Sequence, residues 1–470
     1  MDHTDLVNYF AGGKLNRASW LRESTSYLNQ ALVKPDTKFV LFSHGDPLVR
    51  RDAPSKLALF GWKDIEESIM HTVRLVAPDA TQVFGPKSYG LTKRNDADNG
   101  HWSRVTQNII APALSLMYLG VYEDGSPPKT LKYTDDGKEQ DYVVPSGPAY
   151  FAVSLSYRPP NTPEQDTLPG SKLLDTLTAE DAPYKVFQMR TVILTGELEK
   201  EDAALAAYGR AILDWSERYA FCSACGSQNY SVWGGHKRAC SSVLSKVTEG
   251  KPNLVKAMHS ASPPKSTCPS VESVQNYSYP RSDPVVIVGI VSADDEHILL
   301  GRQKMWPKGL YSCIAYVMLA HPAALWNLVN PSRSRSDVRR WKRLVSRPTK
   351  SLTTGTCIVL RSSQPWPFPA SLFFGAYAYA KDTSTNVHLD QDIELEEAFF
   401  ASKKDVLAAV TASEQKLGLK SKDAPTHKGE RYLYVLLTHE ACLRLQPWPM
   451  YCLLLGRAAT RRPGRNCSGT

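Results

Sequence analysis

The sequence predicts an α/β protein with more than one domain, and three observations support this fold class. Apolar runs such as 38–42 and 150–155 are bounded by polar and turn residues, which is typical of buried strands. From Glu199 to Tyr219, apolar side chains recur at helical spacing and predict an amphipathic helix. A cluster of cysteines follows that helix and precedes further strand-like runs, so we expect a ribbon between two α/β units.

Four consecutive regions are predicted along the chain. They are a mixed α/β domain over residues 1–195, a cysteine ribbon with a Ser/Pro-rich insertion over 215–278, a second α/β domain over 279–412 and an irregular basic tail over 413–470. The stretch 123–141 is rich in Gly, Pro, Lys and Asp and is predicted to form an exposed loop. The apolar run 284–291, the turn Asp294–Glu296 and the return segment 298–301 predict a β-hairpin.

The composition describes a globular protein whose basic charge is confined to two segments. Of the 470 residues, 42% are hydrophobic and 22% charged, and no apolar run has the length of a membrane helix. Residues 333–361 have nine basic residues and one acid, and residues 457–470 have four arginines and no acid. These two segments carry the whole basic excess, because the rest of the chain is near −3 and the net charge of the chain is +9. Neither segment has the interleaved aromatic residues that stack on bases, so a general nucleic-acid-binding role is disfavoured.

The N-terminus and the cysteine content predict an intracellular protein. Residues 1–13 include acids and lack a basic-then-apolar leader, so secretion is not expected. Nine cysteines in such a chain favour reduced thiols, and clustered cysteines are then interpreted as metal ligands before disulfides.

The cysteine cluster predicts a structural zinc site. Cys222 and Cys225 form a CxxC followed by glycine, a spacing at which two thiolates can bind one Zn²⁺. Cys240 follows fifteen residues later, which suits a ribbon hairpin. A closed site needs a fourth ligand, for which Cys268 is predicted and His236 is the alternative. A redox CxxC is disfavoured because the βαβ pattern that surrounds such motifs is missing.

Several motifs, taken in order, resemble the NADH pyrophosphatase branch of the Nudix hydrolases. They are Asp214-Trp215, Phe221–Gly226, Tyr279–Pro284, Leu300–Gln303, Tyr311–Ala315 and Ser363–Ser371. Leu15-Asn16-Arg17, followed by Trp20-Leu21-Arg22, is similar to the start of the N-terminal domain of this branch. The segment SQPWPFPAS at 363–371 is close to a signature that separates this branch from other Nudix enzymes.

The resemblance implies a Nudix α/β/α sandwich preceded by a zinc ribbon and an N-terminal α/β domain. It implies hydrolysis of the pyrophosphate bond of NADH or NAD⁺ to nicotinamide mononucleotide and AMP, with Mg²⁺ or Mn²⁺ beside the structural Zn²⁺. NAD-capped RNA is the one nucleic-acid partner compatible with this resemblance, and family members are often homodimers. Relatives in fungi and animals are frequently peroxisomal, but this chain ends in Cys-Ser-Gly-Thr, so peroxisomal and cytoplasmic locations both stay open.

The resemblance also assigns site residues. The backbone carbonyl of Ala315 and the carboxylate of Glu394 match positions at the family's Mg²⁺ or Mn²⁺ site. Substrate-contacting positions are matched by Tyr279, Gln364, Pro365, Trp366, Pro367, Phe368, Pro369, Ala370 and Ser371. Core packing is the alternative role for Trp366 and Phe368, and an ordinary solvated carboxylate is the alternative for Glu394.

The 23-residue box that carries the catalytic carboxylates in this family is missing. In the family it begins directly after the position of Ala315, but here the chain continues to Arg361 with Asp337 as its only acid. One carboxylate cannot assemble a multi-carboxylate metal site. The catalytic residues of this chain therefore stay unassigned.

Read one base out of step, the same codons can encode the box. The junctions Trp326–Asn327 and Trp341–Lys342 each force a Glu codon in that frame. Over residues 323–346, one consistent choice of codons gives GFMEPGESVEESVRREAMEEAGV, which fits all 23 positions. A frameshift across about residues 316–361, as a different splice acceptor would produce, explains the missing box. The alternative is a non-catalytic zinc-containing nucleotide-binding protein.

Overall fold

Two mixed β-sheets dominate the described part of the chain, and a cysteine-bearing hairpin lies between them in sequence. The computed structural model describes residues 9–76, 79–85, 90–92, 108–110, 115–135, 137–158, 168–190, 198–241, 268–272, 279–306, 310–317, 359–379, 395–406, 408 and 434–435. The α/β class predicted from the sequence is confirmed. Within these ranges, no helix is both long enough and apolar enough to cross a bilayer.

The N-terminal part of the chain confirms the first predicted strands and helix. In chain order its strands are β1 (Leu15–Asn16), β2 (Lys38–Ser43), β3 (Asp46–Arg50), β4 (Leu59–Phe60), β5 (Gly90–Thr92), β6 (Asn108–Ile110), β7 (Ser115–Tyr122), β8 (Lys129–Asp135), β9 (Lys138–Val144), β10 (Ala149–Ser154) and β11 (Tyr184–Val186). Its helices are α1 (Thr25–Leu32), α2 (Trp62–Val76), α3 (Pro169–Thr178) and α4 (Lys200–Arg218). The predicted segments 38–42, 150–155 and 199–219 correspond to β2, β10 and α4.

The first sheet is covered by helices on both faces. Its seven described strands follow the order β1-β7-β10-β2-β3-β11, with β4 beside β2, and β10 runs parallel to β2. Because successive side chains of a strand face opposite sides, Phe39 and Leu41 pack with α1 and α2 while Val40 and Phe42 pack with α4. The result is a three-layer α/β/α arrangement with a separate core on each side of the sheet.

Gly209 allows α4 to lie close against this sheet. A Cβ atom at this position would lie 2.7 Å from Cζ of Phe42 and 3.3 Å from Cβ of Ala152. A mid-helix glycine costs about 1 kcal/mol relative to alanine. The close approach to the sheet gives a physical reason for that cost.

The stretch 123–141 was predicted to be a loop, and this prediction was wrong. Antiparallel strands β8 and β9 form a hairpin there, turning at Gly137, which has a φ of 75°. Most of β8 is exposed, so its residues lack the alternating apolar pattern that identifies a half-buried strand. Tyr133 is the buried anchor, and the Asp135 carboxylate accepts hydrogen bonds from the backbone of Ser26 and the hydroxyl of Thr25.

A short hairpin and a helical turn carry the cysteines. The hairpin strands are β12 (Asn229–Val232) and β13 (Lys237–Cys240), joined by a 3₁₀ turn at Trp233–Gly235. A helical turn, α5 (Pro269–Glu272), follows Cys268. Residues 242–267, which form most of the predicted Ser/Pro-rich insertion, lie outside the described residues.

The second sheet confirms the predicted hairpin. Its elements belong to the C-terminal strands β14 (Asp283–Val291), β15 (His297–Gln303), β16 (Leu310–Tyr311), β17 (Ile314–Val317), β18 (Val359–Trp366), β19 (Ser371–Tyr379), β20 (Leu395–Ser402) and β21 (Tyr434–Val435). Six of the described strands form the sheet in the order β18-β19-β14-β15-β20, with β17 beside β14. Residues 318–358 and 436–470, including most of the aberrant segment and of the predicted tail, lie outside the described residues.

The close contact at Gly209 yields a stability prediction. Gly209→Ala should lower the free energy of unfolding by about 1–3 kcal/mol, because the new methyl group must displace the Phe42 ring. In a Phe42→Leu background the ring is gone, and the same substitution should cost much less. Urea denaturation of both single variants and the double variant measures this coupling. An equal loss in both backgrounds would contradict the proposed contact.

Candidate functional site

Four cysteine side chains meet at the base of the β12–β13 hairpin. The sulfur atoms of Cys222, Cys225, Cys240 and Cys268 all lie within 4.8 Å of one another. Those of Cys225 and Cys240 are 3.4 Å apart, and those of Cys222 and Cys268 are 3.7 Å apart. Four sulfurs around one tetrahedral Zn²⁺ would be separated by about 3.8 Å, given Zn–S bonds of about 2.3 Å. The geometry therefore fits a four-coordinate metal ion.

The local sequence explains how these sulfurs converge. The backbone of Cys222 closes a tight turn, accepting a hydrogen bond from Gly226 at 2.9 Å and donating one to Ser227 at 2.8 Å. Gly226 has a φ of 72°, a left-handed conformation that glycine adopts without steric cost. Cys240 is the last residue of β13, and Cys268 comes immediately before α5.

The chemistry of the four side chains also fits a metal ion. Burial opposes ionisation of Cys225, but hydrogen bonds with Ser227, Cys240 and Cys268 together outweigh it and lower the pKa of Cys225 to about 6. Burial raises the pKa of Cys268. A divalent cation would stabilise all four groups as thiolates, and an all-sulfur donor set suits zinc rather than Mg²⁺.

His236, the alternative fourth ligand, contacts the first sheet instead. Its Nε2 atom lies 2.6 Å from the backbone carbonyl of Tyr118 in β7. Burial lowers the pKa of His236 to about 3, so the ring is neutral and Nε2–H donates to this carbonyl. Cys268 therefore completes the cysteine group.

The hairpin is also attached to the end of α4, since Arg238 donates hydrogen bonds to the backbone carbonyls of Ser216 and Tyr219.

The predicted substrate segment, residues 364–371, joins the end of β18 to the start of β19. Trp366 stacks on Phe373 with ring centres 4.9 Å apart and meets Phe10 edge to face at 6.0 Å. Trp366 and Phe368 are half-buried and pack against the core beneath α4. The packing role is therefore present for both rings, and contact with substrate stays a prediction.

Arg210 of α4 holds this segment against the N-terminal part. Its guanidinium donates to the carbonyl of Pro367 at 3.1 Å and lies 4.7 Å from the centre of the Phe368 ring. The same group donates to the carbonyl of Gly45 and pairs with Asp46 at 3.0 Å. One side chain thus fixes the predicted substrate segment relative to the first sheet.

The described acidic residues of the second sheet are engaged with a cation. Arg302 in β15 is buried and pairs with Glu396 at 2.7 Å and Glu397 at 3.7 Å, both in β20. Tyr311 donates a further hydrogen bond to Glu397 at 2.8 Å. Ala315 lies in β17, where its backbone is registered with Ile287 of β14. Glu394 lies outside the described residues.

Tyr279 contacts two residues that the motifs did not identify. Its ring centre lies 5.8 Å from that of Trp233 and 5.7 Å from the Lys237 ammonium, which itself lies 4.4 Å from the Trp233 ring centre. The glycine pair after Trp233 indicates a tight turn and could have drawn attention to this hairpin. Arg210 carries no such signal, because it is separated by 157 residues from Pro367.

The chain is similar to a known domain family and to several characterised hydrolases. Residues 36–215 match a family model described as NADH pyrophosphatase-like rudimentary NUDIX domain. The chain is 29% identical over 407 residues to an NAD-capped RNA hydrolase from Schizosaccharomyces pombe, covering 86% of this chain and 85% of that protein. It is 28% identical over 414 residues to human NAD-capped RNA hydrolase NUDT12, covering 87% of this chain and 69% of that protein. A human mitochondrial NAD(P)H pyrophosphatase, NUDT13, is 26% identical over 215 residues, or 46% of this chain and 47% of that protein.

The buried imidazole of His236 predicts acid sensitivity. Burial lowers its pKa to about 3, below the value of about 6.5 in the unfolded chain. Its contribution to stability is therefore complete above about pH 6.5 and is lost as the pH falls towards 3. Between pH 7 and 5 the wild-type should lose about 1–2 kcal/mol more unfolding free energy than His236→Gln, which cannot be protonated.

Urea denaturation of zinc-loaded protein at several pH values measures the difference. The matched control is His71→Gln, a substitution at an exposed position of α2, which should keep the wild-type slope. Parallel pH profiles for the wild-type and His236→Gln would contradict this account.

Proposed function

The chain belongs to the NADH pyrophosphatase-type branch of the Nudix hydrolases, and from this we propose that its catalytically complete form hydrolyses the pyrophosphate bond of NADH or NAD⁺. The products would be nicotinamide mononucleotide and AMP. The main support is the similarity, over 86% of the chain, to a protein named NAD-capped RNA hydrolase, together with a relative named NAD(P)H pyrophosphatase. These names share one substrate feature, a dinucleotide joined by a pyrophosphate.

Zn²⁺ is the proposed occupant of the four-cysteine group. Four sulfur ligands leave no position for water or substrate, so the ion would supply structural support and no Lewis-acid step. The residues it would hold are the Cys222 turn, the end of β13 and the start of α5. The ion would therefore stabilise the fold of the ribbon and would take no direct part in pyrophosphate cleavage.

Tyr279 and residues 364–371 are the proposed contacts for the dinucleotide. Trp366 and Phe368 offer aromatic faces that are half-buried. Arg210 would keep their backbone in place through its bond to Pro367. A nicotinamide or adenine ring can stack on such a rigid apolar surface.

The described residues do not fit a catalytic Mg²⁺ or Mn²⁺. In the parts of the chain that the structure describes, the four cysteines are the only group of three or more potential ligands. Arg302 is paired with both Glu396 and Glu397, and two carboxylates already engaged with a guanidinium do not replace the several that the missing box supplies. No metal-dependent step is assigned to the 470-residue chain. This ion pairing favours the second candidate function, a zinc-containing protein that binds nucleotides without hydrolysing them.

Hydrolysis by two forms of the protein tests the proposal. The 470-residue chain should release AMP from NADH at least about a hundredfold more slowly than a chain translated in the restored frame across residues 316–361. The reason is that only the restored frame supplies the box carboxylates. Assays of both forms with Mg²⁺ or Mn²⁺ measure the difference.

A pair of substitutions in the restored-frame form tests whether Glu394 contributes to turnover. Glu394→Gln should reduce its turnover, whereas Asp392→Asn should leave turnover near the parent value. Robust hydrolysis by the 470-residue chain would refute the frame account. Inactivity of the restored-frame form would refute the proposed reaction.

Metal analysis tests the zinc proposal independently. The purified chain should contain one Zn²⁺, and Cys240→Ser should lose most of it because a closed site needs all four ligands. Cys313→Ser is the control, since Cys313 is also buried but lies outside the cysteine group. Elemental analysis after dialysis measures both. Full zinc retention in Cys240→Ser would contradict the assignment.

A further inference from the structure

A lysine and two aromatic rings form a compact cluster beside the cysteine hairpin. The Lys237 ammonium lies 4.4 Å from the ring centre of Trp233 and 5.7 Å from that of Tyr279. The two ring centres are 5.8 Å apart, with their planes inclined at 45°. All three residues are half-buried, so each keeps an accessible surface. We call these three residues the hairpin cluster.

Within the described ranges, the ammonium of the hairpin cluster has no carboxylate paired with it. Among the described residues, no acid forms a salt bridge with Lys237, and the Glu23 carboxylate acts on it only from a longer distance. Burial lowers the pKa of Lys237, which reflects partial loss of hydration. Ring faces attract a cation but do not neutralise it. An anionic group supplied from outside would complete this arrangement.

The backbone holds the Trp233 ring in place at a steric cost. Trp233 has a φ of 55°, a left-handed conformation that is unusual for a bulky side chain. The next two residues, Gly234 and Gly235, are also left-handed, and a Cβ on Gly235 would overlap the sulfur of Met117 in β7. The turn is therefore pressed against β7, and Trp233 takes a conformation that a smaller residue would adopt more easily. Such strain is concentrated at ligand-binding sites.

We propose that the hairpin cluster binds one nucleoside monophosphate unit, with the base against Trp233 and Tyr279 and the phosphate on Lys237. This inference rests on the proposed function, since Tyr279 matches a substrate-contacting position of the family. It adds Trp233 and Lys237 as residues that determine affinity for the substrate. It also gives the cysteine group a role in binding, because Lys237 lies three residues before Cys240 on the same strand.

Nucleotide titrations of the full-length, zinc-loaded 470-residue chain test the proposal. Isothermal titration with AMP and with adenosine separates the phosphate contribution from the base contribution. Lys237→Gln should weaken AMP binding about tenfold, the loss expected for one charge-assisted contact, and change adenosine binding less than about twofold. Trp233→Leu should weaken both ligands, and Trp233→Phe should restore most of the affinity because a ring is present again.

The matched control is Lys129→Gln, at an exposed lysine of β8, which should bind both ligands like the wild-type. Zinc content and circular dichroism identify any variant that fails to fold. Unchanged AMP affinity in Lys237→Gln would overturn the proposal, as would equal losses for AMP and adenosine, or no AMP binding by the wild-type chain. Hydrolysis by the restored-frame form is a separate measurement. Its failure would refute the reaction while leaving a Lys237-dependent phosphate site intact.

Discussion

The close packing of α4 on the first sheet is the contact on which the candidate site depends. Gly209 brings the helix to the Phe42 ring, and this approach determines where the neighbouring Arg210 can reach. Arg210 then connects Gly45 and Asp46 of the first sheet with Pro367 of the second. The same helix ends immediately before the first cysteines. A small residue in a helix therefore helps to position both the aromatic segment and the turn that carries the first cysteines.

The described carboxylates of the second sheet are engaged in ion pairs and hydrogen bonds within the sheet. A pyrophosphate-cleaving site needs several carboxylates that are available to divalent cations. In the described part of the second sheet, Glu396 and Glu397 are instead paired with the buried Arg302 and with Tyr311. These contacts stabilise the pairing of β15 with β20. These two carboxylates therefore stabilise the sheet.

Local patterns in the sequence identified the elements that bury apolar residues in a regular way. β2, β10, α4 and the β14–β15 hairpin have strong apolar patterns, and all four were predicted. The CxxC motif identified two of the clustered cysteines by spacing. For the fourth position the sequence left Cys268 and His236 as alternatives, because Cys268 lies 46 residues from Cys222 and no local spacing connects them. The β8–β9 hairpin was missed because most of β8 is exposed and its stability comes from backbone pairing.

Contacts between residues that are far apart in the sequence could not be predicted from local sequence patterns either. Arg210 has its partners 157 and 164 residues away, and no local motif encodes such contacts. Trp233 and Lys237 become candidate binding residues only because the folded hairpin lies next to Tyr279. The spacing of residues in the sequence predicts a site when one short segment supplies its side chains. It does not predict a site whose side chains are brought together by tertiary packing.

The docking of the glycine turn on β7 has a consequence for how this protein can be divided. Gly235 packs against Met117, and the His236 ring donates a hydrogen bond to the carbonyl of Tyr118. Part of the surface that supports the ribbon therefore belongs to the N-terminal unit. A ribbon excised from the chain would lose that support and expose a buried imidazole to water. The ribbon is therefore not an autonomous, exchangeable module. Any shuffling of parts between relatives would have to transfer the ribbon and β7 together.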